Sequence, residues 1–339
     1  MRRSTGRNKS MMIMNSLCAL AFGFALDMMI GDPKNRFYPT ELVRRMVKKL
    51  ENILKNAYLD SPDAQNMAGI MLVVMTLLIC MGSSIALLLL CYKLNVIVGI
   101  IAEGLLCWMS ISGRSMRHGL MGVFRAVRAD NAGGARRYLR QITDRDVDHM
   151  DPATCAKCAV ETASENAVDM LVGPIFWACL FGGPGAVFCR VINIMDNTVG
   201  FKDNENIHFG KVAAKLDDIV MFIPARLAAA FMRWDAAFLR LDKKNAQEIY
   251  FRDKRRLPSP NSGCTMSVAA GALDIQLGGD EIRNGVLTRR QRIGDALHPV
   301  SADEVFWINQ LLTGTGASAM LFAIVMRVAA YILTTLLIK

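Results

Sequence analysis

Aromatic residues and histidine are scarce in this chain. Aromatic side chains make up 7% of the 339 residues, and only four residues are histidine. No two of the four histidines stand at the spacing of metal ligands, so the sequence predicts no histidine-based metal centre.

The chain also lacks the patterns of nucleic-acid recognition. Its formal net charge is +10, but no basic patch is interleaved with aromatic residues and no zinc-finger spacing is present. In an apolar chain, excess lysine and arginine typically mark cytoplasmic loops that face anionic lipid headgroups. We therefore expect no nucleic-acid partner.

Cysteine is present but lacks the pattern of a metal or disulfide framework. The nine cysteines lie mostly in apolar runs, and Cys155-Ala-Lys-Cys158 is a lone C-x-x-C motif. A structural zinc site needs about four ligands. Buried free thiols in a reducing compartment are the simpler interpretation.

Apolar residues are abundant. They make up 53% of the chain, with a mean hydropathy of +0.27, and several runs approach the roughly 20 residues that a membrane-spanning helix needs. The sequence therefore predicts an all-α, polytopic membrane protein, a single integral membrane domain over residues 1–339. We expect spans or dips near residues 11–30, 67–92, 94–110, 169–195, 219–232 and 317–338.

Two of these segments are short and interrupted. Gly182-Gly-Pro-Gly185 breaks the first and Pro224 the second, so re-entrant or broken helices are as consistent with the pattern as full spans. The loops 112–168 and 233–316 are large and rich in lysine and arginine, which predicts helical loops on the cytoplasmic side. Within the span 94–110, we expect Glu103 to face protein or water rather than lipid.

The segment 34–60 is basic and amphipathic. Leu42, Met46, Leu50, Ile53 and Leu54 recur at helical spacing. This pattern predicts a helix that lies on the membrane surface.

Acidic residues recur at helical spacing between residues 160 and 170. Glu161, Glu165 and Asp169 follow one another at intervals of four, which places them on one face of a helix together with Asn166. Like charges four apart destabilise a helix unless a cation lies between them. The stripe predicts either a site for a cationic ligand or a solvated helix face.

A second polar group follows at the next apolar run. Asn193, Asp196 and Asn197 offer oxygen ligands and Lys202 a cation, a combination that suits Mg²⁺ and phosphate. The alternative is a polar cap where a helix meets water. Asp217-Asp218, at the start of a further apolar segment, either cap that helix or hold metal and phosphate together with Arg226.

The loop around Ser259-Pro-Asn-Ser262 is the last candidate. Ser259, Asn261 and Ser262 precede Gly263 in a tight loop that could present backbone amides to an anion. The loop is not a P-loop, because the terminal Lys-Ser/Thr is missing. Without context, the pattern is also that of an ordinary turn.

Taken in order, these motifs resemble a known family, the cobalamin-biosynthesis membrane amidoligases of CbiB/CobD type, the adenosylcobinamide-phosphate synthases. The resemblance extends over nearly the whole chain. It rests on Gly31-Asp-Pro33, Val160-Glu-Thr-Ala-Ser-Glu-Asn166, the stretch from Asn193 to Lys202, Leu216-Asp-Asp218, Ile223-Pro-Ala-Arg226, Ser259-Pro-Asn-Ser-Gly263 and Ile293-Gly-Asp295. Tyr38-Pro39 stands where the family has His-Pro, and Arg145-Asp-Val147 only loosely resembles a family Arg-Asp-Thr element.

The resemblance implies a multi-pass protein of the cell membrane with its site facing the cytoplasm. It implies ATP and Mg²⁺ as cofactors, and amide formation between adenosylcobyric acid and (R)-1-aminopropan-2-ol or its O-phosphate. Further partners would be the lipid bilayer, a second copy of the chain, or other late membrane enzymes of the cobalamin pathway.

We assign roles within this reaction as hypotheses. Glu161 or Glu165 takes the amine, while Lys202 and Arg226 neutralise phosphate charge. Asp196, Asp217 and Asp218 hold the metal. The substrate-binding residues would be Asn166, Asp169, Asn193, Asn197, Ser259, Asn261 and Ser262.

Two other classes share some of these features. An intramembrane prenyltransferase also holds Mg²⁺ and diphosphate on aspartates, but the full D-x-x-x-D spacing is absent from both clusters, Asn193 to Asp196 and Asp217-Asp218. A transporter would line a path with broken helices and buried carboxylates. The large polar loops favour an enzyme.

Overall fold

The computed structural model of the protein describes residues 2–32, 38–57, 61–200, 208–283 and 286–338. Within these ranges the chain is helical, apart from one antiparallel hairpin of two four-residue strands. Four helical segments of this described part are long and apolar enough to cross a membrane: Ser10–Met29, Pro62–Leu94, Val96–Arg128 and Ala302–Leu337. The predicted all-α, polytopic membrane fold is confirmed.

The elements follow one another along the chain with short connections. The first seven helices are α1 (Arg2–Met29), α2 (Pro39–Ala57), α3 (Pro62–Leu94), α4 (Val96–Ser110), α5 (Gly113–Arg128), α6 (Ala132–Leu139) and α7 (Pro152–Asn166). A π-helix (Ala167–Val172) then leads to α8 (Gly173–Phe181), α9 (Gly183–Val199), α10 (Lys211–Val220), α11 (Phe222–Phe238), α12 (Lys243–Asp253) and α13 (Ser262–Ala272). The chain ends with the strands β1 (Asp280–Arg283) and β2 (Val286–Arg289) and the long helix α14 (Ala302–Ile338).

The chain forms two compact units. The first comprises residues 1–112, 173–220 and 320–339, and the second comprises residues 113–172 and 221–319. Each unit draws on separate stretches of the chain, so neither is one continuous segment.

In the first unit, α3 and α4 form a tight helical hairpin. Asn95 serves both helices, because its N–H bonds the Cys91 carbonyl at 3.0 Å and its side chain accepts from the Ile97 N–H at 2.7 Å. Helix α4 also packs closely on α1. A Cβ at Gly23 would lie 2.5 Å from the Gly104 carbonyl oxygen, so only glycine permits this approach.

Helices α8 and α9 form a second hairpin in this unit. They contain nine and seventeen residues, about 13 and 25 Å of helix against a hydrocarbon core of about 30 Å. Helix α9 alone is shorter than the hydrocarbon core, whereas α8 continues the helical run of α7 and the π-helix without a break. The glycine-rich break lies between them, and Gly182 takes a φ of 69° that favours glycine. The two arrangements expected from the sequence, a re-entrant hairpin and two full spans, both stay predictions.

Glu103 of α4 holds the tip of this hairpin. Its Oε1 accepts hydrogen bonds from the Gly183 N–H at 3.0 Å and from the Ser16 hydroxyl at 2.7 Å, and its Oε2 accepts from the Tyr92 hydroxyl. Arg327 of α14 in turn donates to the Ser16 hydroxyl at 3.3 Å. Glu103 is only 5% exposed, so it faces protein, as expected.

The second half of α9 lies in the core of the first unit. Ile192 and Met195 of α9 pack with Leu72 of α3 and Val47 of α2. Met46, Leu50 and Leu54 of the apolar face of α2 thus pack against α3 and α9, while Leu42 and Ile53 are exposed. Protein covers part of this face, and the membrane contact of the rest stays a prediction. The sequence pattern marks an apolar face but does not specify what covers it.

In the second unit, α7 carries the acidic stripe and begins at a well-formed cap. The Asp151 side chain accepts from the Thr154 N–H at 2.7 Å, and Pro152 occupies the first helical position, where no N–H is needed. Helix α13 packs against α7, α11 and α12, and α11 also packs against the π-helix. These contacts gather the acidic stripe and the Ser259–Ser262 loop into one helical cluster.

Candidate functional site

Glu161 is buried and fully engaged within the second unit. Its Oε2 pairs with the Arg145 guanidinium, and its Oε1 accepts from the Gly278 N–H at 2.7 Å. Gly278 takes a φ of 79°, a region that favours glycine, and its carbonyl accepts from Lys157 at 2.6 Å. Glu161 thus ties α7 to the loop before β1.

Glu165 stands one turn further along α7 and is partly exposed. Its Oε1 accepts from Arg290 at 2.9 Å, and its Oε2 lies 3.8 Å from the Arg145 guanidinium. Arg145 therefore lies between the two glutamates and offsets the repulsion that the sequence pattern implied. The protein itself supplies cations to this part of the stripe.

The stripe continues into the π-helix with Asp169. This side chain and that of Asn166 are partly exposed. Pro174 follows and has no N–H to donate to the Met170 carbonyl, which favours a departure from α-helical geometry here. Short π-helical segments are frequent at functional sites, and this one widens the turn that carries Asp169.

Arg226 contacts the Ser259–Ser262 loop. Its guanidinium donates to Asn261 Oδ1 at 3.3 Å and to the Pro260 carbonyl at 3.5 Å, and it stacks on the Phe222 ring. Ser262 is the first residue of α13, and Asn261 makes no side-chain hydrogen bond to cap this helix. An arginine beside a helix N-terminus forms a cradle for an anion such as phosphate.

The asparagines and aspartates of the first unit lie on two helices in contact. On α9, Asn193 is buried and its Oδ1 accepts from the Asn197 amide at 3.2 Å. Helix α9 packs against α10, which carries Asp217 and Asp218, and these two aspartates and Asp196 are partly exposed. Lys202 lies outside the described residues.

The predicted metal ligands fit Mg²⁺ only as an incomplete set. Among the residues that the structure describes, no three histidine, cysteine, aspartate or glutamate side chains come together as a metal site. Mg²⁺ typically takes one or two carboxylates and completes its shell with waters and substrate phosphates. The assignment of Mg²⁺ to Asp196, Asp217 and Asp218 therefore stays a prediction.

The two thiols of the C-x-x-C motif, Cys155 and Cys158, are buried on α7 within two turns of Glu161. Burial raises the pKa of Cys155 to about 11, with Cys158 adding to the effect, and burial also raises the pKa of Cys158. Because the thiolate is the reactive and metal-binding form, these thiols are poor nucleophiles and ligands here. This agrees with the structural interpretation of the motif.

Tyr38, the departure from the family pattern, has a defined contact. Its hydroxyl donates to Asp32 Oδ1 at 3.2 Å, and its ring meets Trp108 edge-on. Burial and the Asp32 charge raise the pKa of this tyrosine, so it is a neutral hydrogen-bond donor at physiological pH.

Two residues that pair with the acidic stripe, Arg145 and Arg290, were not predicted from the sequence. Arg145 lies in the Arg-Asp-Val element that only loosely matched the family, and this weak match was its one signal. Arg290 follows β2 and carries no motif. Pairing across 125 residues, as between Arg290 and Glu165, leaves no local trace in a single sequence.

These features define a class of protein, namely a polytopic helical membrane protein with a charge-paired carboxylate cluster and an arginine-bearing anion cradle. The family described as "CobD/Cbib protein" matches residues 20–312. The chain therefore belongs to the CobD/CbiB family.

Three relatives show the extent of the similarity. The cobalamin biosynthesis protein CobD of Clostridium perfringens is 30% identical over 308 residues, which cover 91% of this chain and 97% of the relative. The cobalamin biosynthesis protein CbiB of Salmonella typhimurium is 30% identical over 290 residues, 86% and 91% of the two chains. CobD of Leptospira interrogans is 29% identical over 316 residues, 93% and 99% of the two chains. No solved structure matches.

Proposed function

We propose that the protein acts in cobalamin biosynthesis as an ATP-dependent ligase. It would join the propionate of adenosylcobyric acid to (R)-1-aminopropan-2-ol or its O-phosphate. Full-length membership in the CobD/CbiB family is the observation that carries this proposal. The anion cradle and the carboxylate cluster support it.

The chemistry requires an activated carboxyl group. A carboxylate is a poor electrophile, so its oxygen first takes the γ-phosphoryl group of ATP and forms an acyl phosphate, releasing ADP. The free amine then attacks the acyl carbon, the C–O bond to phosphate breaks, and inorganic phosphate and one proton leave. The protein must therefore neutralise phosphate charge and bind the amine, which arrives as an ammonium ion.

Arg226 and the start of α13 suit the phosphate. The guanidinium is held on the loop by Asn261 and stacked on Phe222, so its position is set before substrate binds. Ser262 and the backbone N–H groups at the start of α13 would add donors, and the Ser259 hydroxyl lies in the same loop. Lys202 would add a second cation.

Glu165 and Asp169 suit the amine better than Glu161 does. Both oxygens of Glu161 are occupied, by Arg145 and by the Gly278 N–H. Glu165 and Asp169 are partly exposed on the same face of the helix, and Asn166 offers an amide beside them. Glu165 also has cationic partners, Arg290 on Oε1 and Arg145 near Oε2, but it is partly exposed whereas Glu161 is buried. Glu161 would therefore hold Arg145 in place, and Glu165 or Asp169 would meet the ammonium group.

Asp196, Asp217 and Asp218 would hold Mg²⁺, with Asn193 and Asn197 as neighbouring substrate-binding groups. The ion supplies charge neutralisation on the phosphates of the nucleotide. The lysine- and arginine-rich loops predict that these groups face the cytoplasm, where ATP is available.

Amide formation by the purified full-length protein in detergent tests this proposal. The assay combines adenosylcobyric acid, ATP, Mg²⁺ and either amine, and product is detected by mass. We expect an amide and one ADP per turnover. ADP release without an amide, or an amide without ATP, would contradict a ligase. A prenyltransferase would need no ATP, and a transporter in vesicles would move substrate without forming an amide.

Arg226→Ala tests the anion cradle, with Arg240→Ala, two residues beyond the end of the same helix, as the control. Loss of one preorganised cation at the transferring phosphoryl group is expected to lower kcat/KM for ATP by about 100-fold. The exposed Arg240 is expected to be replaceable without loss.

Glu165→Gln should raise KM for the amine more than KM for ATP, and Asp217→Asn should raise the Mg²⁺ requirement. If all three variants match wild type while the ligase reaction stands, the residue assignments are wrong but the function is not.

A further inference from the structure

Three cationic side chains converge in the second unit, where α11, α12 and α13 pack against one another. Arg226 and Arg233 lie on α11, and Lys254 directly follows the last residue of α12. We refer to these three residues as the three-cation cluster. All three are partly exposed, so a ligand can reach them.

Arg233 and Lys254 share one aromatic ring, that of the buried Tyr250 of α12. The Arg233 guanidinium carbon lies 4.3 Å from the centre of this ring, and the Lys254 Nζ lies 4.5 Å from it. Because both are cation–π contacts with the same ring, the two charges are at most about 9 Å apart.

The start of α13 brings this pair next to Arg226. A Cβ at Gly263 would lie 2.4 Å from the Lys254 carbonyl oxygen, so the first turn of α13 packs directly on Lys254. The Pro260 carbonyl accepts from Arg226 at 3.5 Å and from the Cys264 thiol at 3.6 Å. Burial raises the pKa of Cys264, and all three cations are close enough to act against this rise.

No carboxylate of the described chain forms an ion pair with the three-cation cluster. Aromatic rings, backbone carbonyls and the Asn261 amide oxygen hold the cations in place. These groups are neutral, so they fix the position of each cation without cancelling its charge. Within the described chain Arg233 donates only through its Nε, and the Lys254 Nζ makes no hydrogen bond. Both side chains therefore keep donors for an anion.

The arrangement suits an anion that carries several charges in succession. A cleft lined by charges of one sign attracts a counter-ion of the opposite sign, and arginine and lysine are the residues that bind phosphate groups in proteins. A single phosphate group would leave part of a cluster of this extent unused. A chain of linked phosphates can contact each cation in turn.

We propose that Arg226, Arg233 and Lys254 together bind the polyphosphate tail of a nucleoside triphosphate. Arg226 and the start of α13 would hold one phosphate group, and Arg233 and Lys254 would hold the others. The identity of this ligand as ATP rests on the proposed function. Neither Arg233 nor Lys254 belongs to a motif that the sequence analysis singled out.

A series of inorganic phosphates tests the cluster in the wild-type protein. Isothermal titration calorimetry of the full-length protein in detergent compares orthophosphate, pyrophosphate and tripolyphosphate, without Mg²⁺, so that only the cations of the protein act. Affinity is expected to rise with each phosphate group, and tripolyphosphate is expected to bind on the order of 100-fold more tightly than orthophosphate. Equal affinities for the three anions, or no binding of tripolyphosphate, would overturn the proposal.

Lys254→Met and Arg233→Gln each remove one charge while keeping much of the side chain. Each is expected to weaken tripolyphosphate binding on the order of 10-fold and to change orthophosphate binding much less. Arg255→Met is the matched control, because Arg255 is the exposed neighbour of Lys254 and its loss changes the net charge equally. Equal weakening in this control would show that net charge alone acts, and the proposal would fall.

Lys254→Arg and the melting temperatures guard against a structural explanation. Lys254→Arg keeps the charge and is expected to retain most of the affinity for tripolyphosphate. The melting temperatures of the Lys254 variants and of Arg233→Gln are measured in the same detergent. If one variant fails to fold, the series of phosphates on the wild type and the remaining variants decide.

The ligase assay separates this inference from the proposed function. If Lys254→Met and Arg233→Gln both form the amide with the wild-type KM for ATP, the three-cation cluster is not the polyphosphate site and the ligase stands. If polyphosphates bind as expected but no amide forms with either amine, the ligase is contradicted and the three-cation cluster stands as a polyphosphate site.

Discussion

Glu103 and Glu161 are both buried glutamates, yet the protein satisfies them by different means. Glu103, in the helices of the first unit, receives its three hydrogen bonds from two hydroxyls and one backbone N–H, and Arg327 reaches it only through Ser16. Glu161, in the second unit, is paired directly with the Arg145 guanidinium. We refer to these as the Glu103 cluster and the Glu161 cluster.

The difference predicts how each cluster responds to substitution. A buried ion pair contributes little over an apolar replacement of both partners, but removing one partner leaves an uncompensated charge and costs several kcal/mol. Neutral donors can rotate or exchange roles when a carboxyl group is replaced by an amide. The Glu161 cluster should therefore be fragile to single changes and the Glu103 cluster tolerant of isosteric ones.

Arg145→Met should have the largest effect. Glu161 would keep only the Gly278 N–H as a partner, and the free energy of unfolding is expected to fall by about 3–5 kcal/mol. Thermal unfolding of the full-length protein in detergent measures this loss. Adding Glu161→Gln to the same chain should recover part of the stability, because no buried charge is then left unpaired.

Arg140→Met is the matched control for this experiment. Arg140 pairs with Asp148 at the surface of the same unit, and both side chains are more than half exposed. Exposed pairs are screened by solvent, so the melting temperature should not change. A loss as large as that for Arg145→Met would show that any arginine near α7 matters and that burial does not distinguish the two pairs.

The sequence predicted the membrane helices and the acidic stripe because both are local patterns. Apolar length identifies spans, and spacing by four places Glu161, Glu165 and Asp169 on one face. The contact between Arg226 and the Ser259–Ser262 loop was not predicted, because Arg226 and Asn261 lie 35 residues apart. The internal partners of the stripe were not predicted, since Arg145 and Arg290 reach α7 from distant parts of the chain.

The coverage of apolar faces was harder to predict. The amphipathic pattern of α2 suggested a membrane surface, but Val47 and Leu54 are buried against the protein. The apolar segment 219–232, which overlaps α11, was predicted to span or dip, and in the structure one face of α11 is buried and the other exposed. Hydropathy reports that a face avoids water, while long-range packing decides whether protein or lipid covers it.

Glu103→Gln and Glu161→Gln compare the two clusters directly. The loss of stability from these substitutions is expected to lie between that of Arg145→Met and that of cysteine alkylation. The amide oxygen at position 103 can accept from Ser16 and Gly183, and its NH₂ group can donate to the Tyr92 hydroxyl, so a loss of about 1 kcal/mol is expected. Glu161→Gln leaves Arg145 without its main counter-charge, so about 3 kcal/mol is expected. Both are read as melting temperatures in one detergent, and equal losses would remove the distinction between the clusters.

The smallest effect is expected from alkylation of the cysteines beside the two glutamates. Cys107 lies one turn after Glu103 and Cys158 one turn before Glu161, and both thiols are buried. Burial raises the pKa of Cys158, so its reactive thiolate form is scarce at pH 7. Peptide mapping after maleimide treatment should find neither residue labelled in the wild type, and a Cys155→Ala, Cys158→Ala variant should retain its melting temperature.

In Arg145→Met, Cys158 should become labelled while Cys107 stays protected, since only the Glu161 cluster is opened. Labelling of both thiols in that variant would mean that the two clusters open together, and the comparison between them would then fail.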